Sequence, residues 1–291
     1  MGFIAIVGGG SLGGAVAHAL AVRDRVPEVR LIDPAGDPAG AVARGKALDI
    51  QQSSPIDTFT TRLTAAASIQ SAVGAGVVIL ADAAGGADGG NEYGGERGLA
   101  LVRQLVAAGH RGPILFAGAQ PHDLMAATVA EVHVARAHAI GSAPLALESA
   151  LRALVGLALD GSAVDVSLRV VGVPPRHGVV AWEEASAHGQ PLAALLPAHE
   201  IAGLSARIPG LWPPGPYALA AAAARVAEAV YHGSRRTFSC FVVADAGPVR
   251  AAVVSVPIEV GSRGVIRVLE PSLTRQERTG MENAIERAAR R

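Results

Sequence analysis

Phe3-Ile4-Ala5-Ile6-Val7-Gly8-Gly9-Gly10-Ser11-Leu12-Gly13-Gly14 decides the fold: an apolar run of strand length breaks into glycines that open onto helix-forming residues 12–21. In that arrangement Gly8 permits a tight turn, Gly10 lets the backbone approach a pyrophosphate, and Gly13 lets the helix pack closely on the sheet. All three jobs require the absence of a side chain. The helix amino end then offers unpaired amides to phosphate oxygens. A second strand, residues 28–32, ends on Asp33, whose carboxylate can accept from both hydroxyls of an adenosine ribose and so favours NAD over the phosphorylated form. The same residues are also compatible with FAD, and with a structural glycine turn that binds nothing.

Outward from this opening, strands are read at residues 77–81, 113–117 and 137–140, with helices near 97–108 and 123–132. Such alternation implies a parallel sheet covered by helices on both faces. From about Pro144 the texture changes to an alanine-rich helix through Leu159, a strand-like stretch at 164–171, and a Gly/Pro-rich stretch. A helix near 217–231, strands near 238–243 and 251–258, and an amphipathic helix at 275–290 follow. The expected fold is α/β: a Rossmann parallel-sheet domain over residues 1–143, then a mixed α+β domain over residues 144–291.

Composition narrows the function classes. The 291 residues carry 25 basic and 25 acidic side chains, so no global field favours nucleic acid or an anionic membrane. Lys46 is the only lysine. Cys240 has no partner for an intramolecular disulfide and lies in a strand-like run, where a small buried hydrophobe is expected. The nine histidines form no close cluster with Cys or carboxylates, so no metal is implied. Glycines interrupt the first apolar run before it could span a membrane, and it follows no basic segment. A cytoplasmic location is the expectation.

Gly45-Lys46-Ala47-Leu48-Asp49-Ile50 resembles the helix after the Rossmann opening in the lactate/malate dehydrogenase family. Residues 136–141 with Leu147-Glu148-Ser149-Ala150 resemble that family's domain junction, and residues 256–268 with the helix after Leu273 resemble its carboxyl end. The segments occur in the family's order over most of the chain. The resemblance implies NAD as cofactor, a small carbonyl or hydroxy-acid substrate, and a homodimer or homotetramer.

It also implies site residues. Gly94-Gly95-Glu96-Arg97 matches the mobile loop whose arginine polarises the substrate carbonyl, which makes Arg97 the catalytic cation and puts Asn91 near the specificity position. Gln120-Pro121 stands where the family has Asn-Pro, and the extra methylene moves the amide donor by about 1.5 Å. Glu148 matches the aspartate that orients the catalytic histidine. Leu151 falls where an arginine clamps the substrate carboxylate, and Arg152, next on the helix, points about 100° away. With Gly172 and Trp182 fixing the register, the catalytic histidine position is Pro174, which has no proton to transfer. His177 restores a His-Gly pair only if the loop shifts register, with Arg176 then supplying positive charge. Each residue also has a plain reading: Arg97 solvated on a first helical turn, Gln120-Pro121 a loop-to-helix boundary, Glu148 a surface or ion-paired residue, His177 a surface-loop side chain. Two functions therefore stand: an NAD-dependent oxidoreductase with a divergent substrate site, or a noncatalytic NAD-binding regulatory or interaction protein.

Overall fold

Ile4–Val7 (β1) is apolar and buried at every position, the pattern of a strand covered on both faces. The structure, a computed structural model, describes residues 2–34, 39–84, 92–175, 177–244 and 252–289. After β1 come α1 (Ser11–Arg23), β2 (Glu28–Ile32), α2 (Ala39–Asp57), β3 (Arg62–Ala66), β4 (Val77–Leu80), α3 (Gly95–Ala107), β5 (Ile114–Phe116), α4 (His122–Ala130) and β6 (Ala139–Gly141). The chain continues through α5 (Ala143–Ala158), β7 (Val166–Ser167), β8 (Val170–Val173), β9 (His177–Val180), β10 (Ser186–Ala187), β11 (Gln190–Pro191), α6 (Leu192–Leu195) and α7 (Ala198–Ala206). It ends with α8 (Pro216–Tyr231), β12 (Thr237–Ala244), β13 (Ala252–Gly261), β14 (Gly264–Val268) and α9 (Arg275–Ala289).

Among the described residues an 11-stranded sheet runs β3-β2-β1-β4-β5-β6-β12-β13-β8-β9, with β14 on β13. The first six strands are parallel. Because β1 pairs with both β2 and β4, the strand order reverses beside it, and the loops after β1, β2 and β4 meet at that switch point. Residue 143 begins α5, yet the sheet continues past it: Gly141 of β6 pairs antiparallel with Phe241 of β12. The strand read at 164–171 is two elements, since β7 joins a separate sheet with β10 while β8 pairs with β13. Two apolar cores result. The larger surrounds the parallel strands and α8, and the smaller gathers Leu147, Leu151, Val155, Val170 and Ile208 beneath α5.

Candidate functional site

At the switch point the glycine turn is filled by the protein itself. Gly8 has φ +116°, and a Cβ there would overlap the Asp82 carbonyl; one on Gly13 would overlap the Gly8 carbonyl. Those two glycines are demanded by packing alone. A Cβ on Gly10 would instead overlap the Asp82 carboxylate, so the space beside Gly10 already holds an anion.

That carboxylate is bound by the helix. Asp82 Oδ2 accepts from the Leu12 amide at 3.0 Å and Oδ1 from the Gly13 amide at 2.8 Å. These are the donors that an α-helix leaves without internal partners, and α1 has no side-chain cap of its own. Three neighbouring amides have partners too: Gly8 donates to Ile32 O, Gly10 to Asp82 O and Gly14 to its own turn at Gly10 O. Asp33, fully buried, accepts through Oδ2 from the Gly9 amide at 2.8 Å and the Ala84 amide at 3.0 Å. Lys46 Nζ reaches Gly10 O at 2.5 Å. Burial pulls its pKa below the usual lysine range, against the charges of Asp82 and Asp33, which raise it.

A second cradle lies after β5. Glu92 Oε1 accepts from the Ala119 amide at 2.8 Å and Oε2 from the Gln120 amide at 3.2 Å, and a Cβ on Gly118 would overlap this carboxylate. Asp82 and Glu92 themselves form an antiparallel bridge, so the ends of one segment deliver both carboxylates. Gln120 is exposed at the same loop. Tyr93 beside Glu92 is buried with its hydroxyl unpaired, and burial raises its pKa. Arg97 lies on the first turn of α3, exposed, with its guanidinium 5.4 Å from the Tyr93 ring centroid. His122 stacks edge-on against Phe241 at 4.5 Å, its Nε2 is buried without a partner, and burial holds its pKa below the usual imidazole range. Asn91 lies outside the described residues.

On the substrate side the structure corrects the surface reading of Glu148: it is 2% exposed. Its Oε1 accepts from the Val170 amide at 3.0 Å and from the Ser239 hydroxyl. Burial pushes its pKa up to about 7, partly offset by Arg169 and by these two donors. Leu151 is 0% exposed inside the smaller apolar core. Arg152 turns away to the carbonyls of Ala163 and Val164, at 3.2 and 3.1 Å. Pro174 is buried at the turn between β8 and β9, and His177, half-buried, pairs with Val173 beside that turn. None of the hydrogen bonds of Glu148 described above goes to His177. Arg176 lies outside the described residues.

Asp82, Glu92 and Lys46 are the residues that sequence reasoning missed. Asp82 had one visible signal, an ionisable side chain directly after the apolar run of β4. With the Leu12 and Gly13 amides engaged by Asp82, the turn does not fit a dinucleotide pyrophosphate, which needs the same donors and brings further negative charge. A cleft of about 490 Å³ does lie open beyond Asp33, between Pro34, residues 67–70, and Gln104, Ala107 and Ala108 at the end of α3. No group of three or more His, Cys, Asp or Glu among the described residues could hold a metal ion, and no helix there is long and apolar enough to cross a membrane.

No protein-family model matches the chain. It is 27% identical over 302 residues to a malate dehydrogenase of Desulforudis audaxviator, covering 97% of this chain and 94% of that protein. It is 26% identical over 301 residues to a malate dehydrogenase of Chloroherpeton thalassium, covering 96% and 94%. Among solved structures it superposes on a malate dehydrogenase from Salinibacter ruber with a TM-score of 0.83 at 24% identity, covering 98% of this chain and 95% of that one. A lactate dehydrogenase from Cryptosporidium parvum, complexed with lactic acid and β-nicotinamide adenine dinucleotide, gives 0.82 at 22% identity, covering 99% and 95%. The architecture is therefore the α/β Rossmann-type fold of those enzymes.

Proposed function

The chain is a divergent member of the lactate/malate dehydrogenase family, and from that premise we propose that it is a noncatalytic descendant, a binding or regulatory protein on a dehydrogenase scaffold. Its relatives support an NAD-dependent oxidoreductase as the ancestral class, and Asp33 after β2 makes NAD the ancestral dinucleotide, which the turn does not fit while Asp82 holds the Leu12 and Gly13 amides. The observation that carries loss of turnover is the engagement of Glu148. The carboxylate assigned to orient an acid–base histidine accepts from Val170 and Ser239, and the histidine position is the buried Pro174. Leu151 adds to this reading, because an apolar side chain sealed in a core cannot clamp a substrate carboxylate.

Incubating the purified protein with NADH and a panel of 2-oxo acids tests the proposal. Absence of NADH oxidation above the protein-free rate supports it; sustained turnover contradicts it. A second reading, an active oxidoreductase, is favoured by one observation: His177 sits beside the turn that holds Pro174, half-exposed. In that reading His177 is the proton donor, Arg97 polarises the carbonyl, and Gln120 contacts the substrate. Replacing His177 by Asn then lowers turnover by at least about 100-fold.

The proposal also includes a homodimer or homotetramer in the cytoplasm. Leu48 and Ile56 on α2 are 60% and 83% exposed, apolar surface that a second copy would cover.

A further inference from the structure

We propose that Asp82 is a specificity-determining residue of the glycine turn: its carboxylate stands in the place of a ligand phosphate and excludes phosphate-bearing nucleotides for as long as it stays there. The helix end makes this competition direct. Backbone amides at a helix amino terminus bind an anion through hydrogen bonds and through the helix dipole, and they serve a carboxylate as readily as a phosphate. Here the Leu12 and Gly13 amides each donate to one oxygen of Asp82.

Further observations point the same way. The side-chain space at Gly10, where a pyrophosphate would need clearance, is filled by the same carboxylate. Its backbone is fixed as well, since Asp82 O accepts from the Gly10 amide at 3.0 Å. Charge is already matched on the turn: Lys46 is held at Gly10 O and feels both Asp82 and Asp33, so an added phosphate would meet two carboxylates against that ammonium. Glu92 repeats the arrangement on the Ala119 and Gln120 amides. Asp82 and Glu92 thus occupy two backbone cradles with the protein's own anions.

The inference goes beyond loss of turnover, which rests on Glu148, Leu151 and Pro174; either reading can fail without the other. Calorimetric titration with ADP, and with adenosine as the phosphate-free control, tests it in wild type, Asp82→Gly and Asp82→Asn. Circular dichroism and melting curves establish that each variant is folded. The Asn variant keeps the side-chain volume for the case in which the Gly variant does not fold. The expected result is ADP affinity raised at least about tenfold in the folded variants, with adenosine affinity unchanged. Equal ADP affinity in wild type and a folded variant would overturn the proposal. So would wild-type binding of ADP with a Kd below about 10 µM, whatever the variants do.

Discussion

Asp82 Oδ1 accepts the amide hydrogen of Gly13 at 2.8 Å across 69 positions of sequence, so the first helix of the fold is capped from just past the end of β4. Gly10, the local cap position, supplies no side chain, and the first turn of α1 contains no acidic residue. A remote carboxylate therefore does what a local Asp or Ser usually does.

Stability should register that cap. Asp82→Ala removes an acceptor from two helix amides and is expected to lower unfolding free energy by about 1–2 kcal/mol, as losing a helix cap does. Urea denaturation of both proteins measures the difference, and an unchanged midpoint would mean that the amides find other partners.

Glu148 makes stability depend on pH. Burial raises its carboxyl in the folded protein to about 7 from an ordinary 4.5, so between those values the folded state holds a proton that the unfolded chain has released. Its stabilising contribution is whole below the lower value and is lost as pH rises through the upper one. Glu148→Gln should flatten this decline, with wild type losing on the order of 3 kcal/mol relative to the variant between pH 4.5 and 8. Parallel pH series of urea unfolding would reveal it; identical slopes would argue against a buried ionisation.

On the proposed reading, restoring a substrate clamp at Leu151 should fail. Leu151→Arg puts a guanidinium into a core of Leu147, Val155, Val170 and Ile208 and is expected to cost about 3 kcal/mol or more. Thermal melting with an assay for pyruvate and oxaloacetate reduction checks both halves. A stable Leu151→Arg protein with activity would show that the site is only one residue from function.

The sequence made some of this legible and hid the rest for a physical reason. The strand, glycine turn and helix from Ile4 to Arg23 depend on local demands, a buried apolar run and positions that admit no side chain, and such demands can be read along the chain. The place of Asp33 after β2 follows in the same way. The occupant of the turn is not local, because Asp82 approaches Leu12 from 70 positions away. Burial of Glu148 was equally hidden: helical spacing places it on α5, but its partner Ser239 comes from β12, 91 positions on. The α2 helix left a weak signal because Gly40, Gly45 and Pro55 interrupt it. The stretch at 164–171 read as one strand because composition does not show which sheet each half joins.

Cofactor preference should emerge once the turn is opened. In Asp82→Gly protein, NADH is expected to bind more tightly than NADPH, because the Asp33 carboxylate at the end of β2 would repel a 2′-phosphate. Fluorescence titration of the bound nicotinamide compares them, and equal affinities would remove Asp33 from the selection.

The most direct measurement of the central claim is turnover in wild type and in Asp82→Gly, each with NADH and pyruvate, oxaloacetate and longer 2-oxo acids. Including the opened variant separates failure to bind cofactor from failure to perform chemistry. On the proposed reading, with Pro174 in the histidine position, Leu151 in place of a clamp and Glu148 engaged by Val170 and Ser239, the expected result is no NADH oxidation above the protein-free rate in either protein. Reduction of any of these acids by wild type at a rate within the common enzyme range of ~1–10³ s⁻¹ would contradict the account.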